Sequence, residues 1–116
     1  MKHPTPRLFL PALLAALASP ALAATAQPPA CKDEAVAQAR KLLAFHSEGD
    51  ERAEVDASSV KALPARANPA NRKQRFEVLE VMGFVYKGEY RMRLSYYTKG
   101  GQCVLMGQEI LHLAQL

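Results

Sequence analysis

The sequence predicts an α+β fold in which one N-terminal helix packs on a four-stranded antiparallel β-meander held by a single disulfide. Three observations carry that expectation. Residues 32 to 48 show the periodicity of an amphipathic helix. Residues 74 to 113 divide at two glycine turns into three strands. The chain has two cysteines, Cys31 at the start of the helix and Cys103 in the last strand.

Ahead of these elements lies a segment of another kind. Lys2 and Arg7 precede an apolar run from Leu8 to Leu22 that ends in Ala21-Leu22-Ala23, the three-part pattern of a secretory signal peptide. Cleavage is expected after Ala23, with Ala24-Thr25-Ala26 as a second small-residue site. Pro11 and Pro20 interrupt a run already short for a membrane anchor. Gln27-Pro28-Pro29-Ala30 lacks the aliphatic and small residues of a lipoprotein signal before Cys31. The expected organisation is a signal peptide over 1–23, a flexible leader over 24–30 and a single α+β domain over 31–116. The mature protein is expected to be soluble, periplasmic or secreted, with no membrane association after cleavage.

Removing 23 of the 116 residues leaves 93, one domain by length. A chain of that size buries only about 60–65% of the surface it exposes when unfolded, so a covalent staple helps it. In an oxidising compartment Cys31 and Cys103 are expected to pair, and closing so long a loop contributes about 4 kcal/mol in the chain-entropy model. No further cysteine or suitably spaced histidine accompanies either one, which argues against a metal site or a reactive thiol pair.

The net charge of +4 falls to +2 when Lys2 and Arg7 leave with the signal. Acidic residues dominate 31 to 56 and basic ones dominate 57 to 116. The bias is mild, and no arginine-rich run or aromatic-basic platform points to nucleic acid.

In the helix, Ala35, Val36, Ala39, Leu42, Leu43 and His46 share one arc. Asp33 and Glu34 occupy the first turn, and Gly49 follows the last as a cap. Arg52 to Ala62 alternates as an edge strand until Val60 breaks the pattern, which suggests a bulge or an early end. The prolines and asparagines of Leu63 to Lys73 predict a basic loop. Strands are expected over 74–86, 89–98 and 102–113, joined by two-residue turns at Lys87-Gly88 and Gly100-Gly101.

Those turns set Tyr86 opposite Glu89 and Lys99 opposite Gln102. One face then carries Leu79, Val81, Gly83, Val85, Tyr90, Met92, Leu94, Tyr96, Cys103, Leu105, Gly107, Leu111 and Leu113. This is the surface the helix should cover. The other mixes apolar, aromatic, methionine and arginine side chains, including Val78, Glu80, Val104, Gln108 and His112, where a wet face would be polar. Within it, Met82, Phe84, Arg91, Arg93, Tyr97, Met106 and Ile110 form a candidate protein-binding face. The alternative is that the segment from Leu63 to Lys73, or the curvature of the sheet, covers these side chains.

No catalytic constellation is visible. His46 and His112 fall on different faces, Glu77 and Glu80 point to opposite sides, and Gly100-Gly101 lacks the lysine and helix of a phosphate loop. Glu109 falls on the core face opposite Met92, so it either pairs with His46 or is turned outward by a bulge at Gly107. In element order the chain is similar to cystatin-like and other small helix-on-sheet rolls, a likeness that transfers no residue or activity.

The expected function is therefore a non-enzymatic protein-binding module, an inhibitor, an adaptor or a homodimer, without metal or cofactor. Its partner is an unidentified protein or a second copy. The alternative is a carrier that encloses a small apolar ligand between a curled sheet and the helix.

Overall fold

The computed structural model describes residues 2–5, 11 and 27–116. Apart from residues 2–5 and 11, which carry no regular structure, the expected signal peptide lies outside the described residues. The elements are a helix α1 (Lys32–His46) and strands β1 (Ala53–Asn68), β2 (Asn71–Val85), β3 (Gly88–Lys99) and β4 (Gln102–Gln115). The strands form one antiparallel sheet in the order β1-β2-β3-β4, so the fold is the α+β meander the sequence predicts. No helix among the described residues is long and apolar enough to cross a membrane.

Helix α1 begins at Cys31, whose carbonyl accepts the first helical hydrogen bond from the Ala35 amide at 2.9 Å. Its side chain does not cap the helix, because its sulfur is bonded to Cys103. At the other end the Gly49 amide donates to the Ala44 carbonyl at 2.9 Å, with Gly49 at φ 77°. Glycine adopts that left-handed conformation at little cost. Ala35, Val36, Ala39 and Leu43 are buried, as the helical arc predicts.

The helix covers the face formed by Leu79, Val81, Met92, Leu94 and Tyr96, with Ala53, Val55, Val60 and Ile110 packed at the margin. Gly83 lets it come close. A Cβ there would stand 2.9 Å from both Leu43 Cδ2 and Met92 Cε. The disulfide, with Cα atoms 5.9 Å apart, ties the start of the helix to the edge strand β4.

Three departures from the expected register matter for the surface. The first concerns Leu63 to Lys73, which is not a loop. β1 runs on to Asn68, turns at Pro69-Ala70 and returns as β2, making a long two-stranded arm. Pro64 is accommodated where the ladder breaks between Leu63 and Arg66, since an edge strand needs no inward amide there. The Ala70 amide donates to Asn68 Oδ1 at 2.9 Å and shapes the turn. Val60 lies in a second interruption, between Asp56 and Lys61, where the hydroxyl of Ser59 accepts from the Met82 amide at 2.8 Å.

The second departure is at the β2–β3 turn. Val85, not Tyr86, is the last paired residue and faces Gly88, so the turn residues are Tyr86 and Lys87. Tyr86 takes φ 53° although it is not glycine. Gly88 serves another purpose: a Cβ on it would lie 2.9 Å from Tyr90 Cε2, so its bareness lets the Tyr90 ring lie across it. The guanidinium of Arg52 sits 4.7 Å from the centre of the exposed Tyr86 ring. Because the slip amounts to two residues, β2 and β3 keep their expected faces.

The third is a bulge in β4. Lys99 faces Gln102 as expected, with Gly100 and Gly101 both at positive φ. Tyr96 faces Leu105, but Ser95 faces Gly107, and Met106 is the extra residue. From there to His112 each β4 side chain lies on the face opposite to the expected one, until a second extra residue, Leu113, sets Ala114 against Glu89 and restores the expected faces. Gln108, Ile110 and His112 join the helix side, while Gly107, Glu109 and Leu111 join the open side. Of the two outcomes weighed for Glu109, the outward turn holds.

Candidate functional site

The open face of the sheet is built from alternate residues of the four strands, with Lys61 and Leu63 of β1 opposite Glu80 and Val78 of β2. β2 contributes Phe76, Val78, Glu80, Met82 and Phe84. β3 contributes Arg91, Arg93, Ser95 and Tyr97. β4 contributes Val104, Gly107, Glu109 and Leu111. Met82, Phe84, Arg91, Arg93 and Tyr97, all expected on this face, are there and half-buried. Met106 stands at the bulge beside Gly107 and is exposed. Ile110 is a correction: the bulge sends it to the helix side, where it packs at the margin of the core.

This face is not flat. The β1–β2 arm arches over it, so Arg66, Ala67 and Pro69 share a dent of about 170 Å³ with Phe76, Ser95, Met106 and Gly107. A neighbouring dent of about 150 Å³ is lined by Arg66, Arg93, Ser95 and Glu109. Under this curvature Val78 is 4% exposed and Glu80 only 7%. Cover from the arm and from sheet curvature is therefore partly realised, at the end of the face nearest the arm.

A buried carboxylate requires partners, and Glu80 has three cations around it. Arg93 Nε donates to Oε2 at 3.1 Å, Lys61 Nζ lies 3.4 Å from Oε1, and Arg91 Nε stands 4.0 Å from Oε2. Arg93 also reaches Glu109, with Nη1 3.7 Å from Oε1. Burial by itself raises the pKa of Glu80, but the bonds from Arg93 and Lys61 outweigh it and hold the carboxyl below its usual value. Four cations, counting Arg66, thus face two carboxylates on this part of the surface. Sequence reasoning placed Arg91, Arg93 and Glu80 on one face but missed Arg66, because it assigned Leu63 to Lys73 to a loop, and missed Lys61, because the expected edge strand lost its pattern at Val60 and was given no register against β2.

The helix side has its own polar cluster. His46 meets the Tyr90 ring edge-on at 5.4 Å between centroids, and His112 stacks on the same ring at 4.7 Å. His46 therefore contacts Tyr90 where pairing with Glu109 was one of the expectations. A groove of about 560 Å³ runs between the end of α1 and β1 and is lined by Arg40, Leu43, Asp50 and Val55 among others. Among the described residues no group of three or more His, Cys, Asp or Glu is placed to hold a metal ion. Comparison with known proteins finds no matching family model, no matching curated protein and no matching solved structure.

Proposed function

We propose that this chain is a non-enzymatic protein-binding module that acts in the periplasm or outside the cell and recognises its partner on the open sheet face. The observation that carries the reading is the surplus of cations around Glu80 in a face otherwise apolar. Arg91, Arg93, Met82, Phe84 and Tyr97 are half-buried, and Val104, Met106 and Leu111 are 43–48% exposed beside them. Partly desolvated arginine and aromatic groups are the residue types that anchor protein interfaces. The chemistry fits a partner segment that brings a carboxylate to Arg91 and apolar side chains to the rim.

The Cys31–Cys103 disulfide suggests a location outside the cytoplasm, and the expected signal peptide agrees with that placement. The carrier reading has less support. Leu43, Leu79, Val81, Met92 and Leu94 fill the space between helix and sheet. The groove of about 560 Å³ beside β1 has the size of a small-molecule site, but it is open and lined by Arg40, Asp50, Glu51 and Glu54 as well as apolar side chains, which does not suit an enclosed apolar ligand. The dents on the open face are smaller than the roughly 300–1,000 Å³ of such sites.

Co-purification from an extract of the cell envelope tests this reading, with an Arg91→Ala, Tyr97→Ala variant alongside. A stoichiometric protein held by the wild type and lost from the variant is the expected result. Equal capture by both rules out the open face. Recovery of a lipid or metabolite in place of a protein transfers the reading to the carrier.

A further inference from the structure

The two edges of the sheet are treated differently. β1 is broken by three ladder irregularities and carries Lys61 and Pro64, devices that discourage another strand from adding to an edge. β4 is the opposite edge and is 14 residues long. From Cys103 to Leu116 it holds no lysine, arginine or proline, and Glu109 is its one formally charged side chain at neutral pH with the histidine neutral. Between its two irregularities, at Met106 and Leu113, its ladder runs unbroken from Gly107 to His112. Val104, Leu105, Met106, Leu111 and Leu113 are each 37–48% exposed along it, on both sides of the strand.

A second element points to the same edge. The Gln38 amide nitrogen donates to Gln108 Oε1 at 2.9 Å, which identifies the stripe of α1 that looks toward β4. Leu42 and Phe45 follow Gln38 on that stripe by helical spacing. Leu42 packs at the margin of the core, but Phe45 is 86% exposed, an unusual position for so large an apolar ring.

We propose that β4 pairs antiparallel with β4 of a second copy of this chain, so that two four-stranded sheets become one continuous sheet. Antiparallel pairing of one edge with itself is an isologous contact, closed by a twofold axis perpendicular to the sheet. That axis puts both helices on the same side, which brings the Phe45 stripe of each chain to the seam. A register centred on Ile110 faces that residue with its own counterpart and keeps helix-side residues opposite helix-side residues. It also sets Glu109 across from Leu111 in place of another carboxylate. Each Glu109 keeps its own counter-charge, Arg93, at 3.7 Å. The outer row of β4 amides and carbonyls gains partners, and apolar side chains on both sides of the strand leave water. The edge shares Val104, Met106 and Leu111 with the rim of the open face but not Arg91, Arg93 and Tyr97 at its centre, so a monomeric chain leaves the reading of that face standing.

Sedimentation and hydrogen exchange on the purified chain with its disulfide intact test the proposal. The expected result is a dimer, with alternate β4 amides protected at high concentration and exchanging freely on dilution. Leu111→Lys and Phe45→Glu alter side chains that are 48% and 86% exposed, so circular dichroism should show an unchanged fold. Each is expected to weaken association by about tenfold or more. A chain that stays monomeric throughout the accessible concentration range overturns the proposal. So does a dimer that ignores both substitutions or leaves the β4 amides unprotected.

Discussion

Arg93 Nε lies 3.1 Å from Oε2 of Glu80, and the same guanidinium reaches Glu109 on the neighbouring strand at 3.7 Å. One side chain therefore joins β2, β3 and β4 across the open face. Removing Arg93 leaves a carboxylate that is 7% exposed with only Lys61 and Arg91 beside it. Arg93→Met is expected to cost about 1–3 kcal/mol in urea denaturation at neutral pH. The pH dependence has a definite sign. Because the folded state holds the Glu80 carboxyl below its usual value, its stabilising contribution is present above the ordinary carboxylate range and fades as pH falls through it. Glu80→Gln should lower stability at neutral pH and flatten the acid limb of the stability curve. An acid limb identical to that of the wild type would contradict the pairing.

The disulfide acts at a point of particular leverage. Cys31 immediately precedes α1, accepts its first backbone hydrogen bond and is the partner of Cys103, so the bond anchors the helix to β4 across a separation of 72 residues. Replacing both cysteines by alanine is expected to remove about 4 kcal/mol in the chain-entropy model. Hydrogen exchange should show the first turn of α1, where the Ala35 amide donates to the Cys31 carbonyl, opening before the strands. A variant that melts within a degree or two of the oxidised wild type would show that helix packing alone holds the fold.

How far these features were legible follows from which physical terms are local. The helix, its glycine cap, the disulfide and the β3–β4 turn rest on periodicity, φ preferences and cysteine count, all present in a short window of sequence. The β2–β3 slip was not legible, because Gly88 reads as a turn residue until the Tyr90 ring is seen lying across it. The arm was hidden because Pro64 looks the same in a loop as on an edge strand, and Pro69, in the turn of the arm, reads as one more loop proline. The open face was read from period-two alternation, which is reliable only while register is unbroken. One extra residue at Met106 reversed the β4 side chains from Gly107 to His112, and for that reason Ile110 left the candidate face while Leu111 entered it. The bulge needed a tertiary cause to be decided between its alternatives: with it, Glu109 meets Arg93, and without it a carboxylate would face Met92 beneath the helix.

Tyr96 carries the remaining polar conflict in the core. Its ring packs with Cys31, Ala35 and Leu94 at 2% exposure, and its hydroxyl is buried without a hydrogen-bond partner among the described residues. Burial first, and then the negative charge of Glu34, push its pKa from 10.0 up to about 12. A buried hydroxyl left unpaired has lost its water and gained nothing in exchange. Tyr96→Phe keeps the ring and deletes the conflict, so it is expected to raise stability by about 1 kcal/mol. A loss of that size would instead show that the hydroxyl has a bonding partner. The alkaline limb gives an independent check. With the folded pKa raised, the tyrosine contribution is fully present below pH 10 and is lost as pH climbs from there to about 12, because the unfolded chain ionises first. Thermal melts of wild type and Tyr96→Phe should therefore diverge progressively over that interval, with the phenylalanine variant losing less stability.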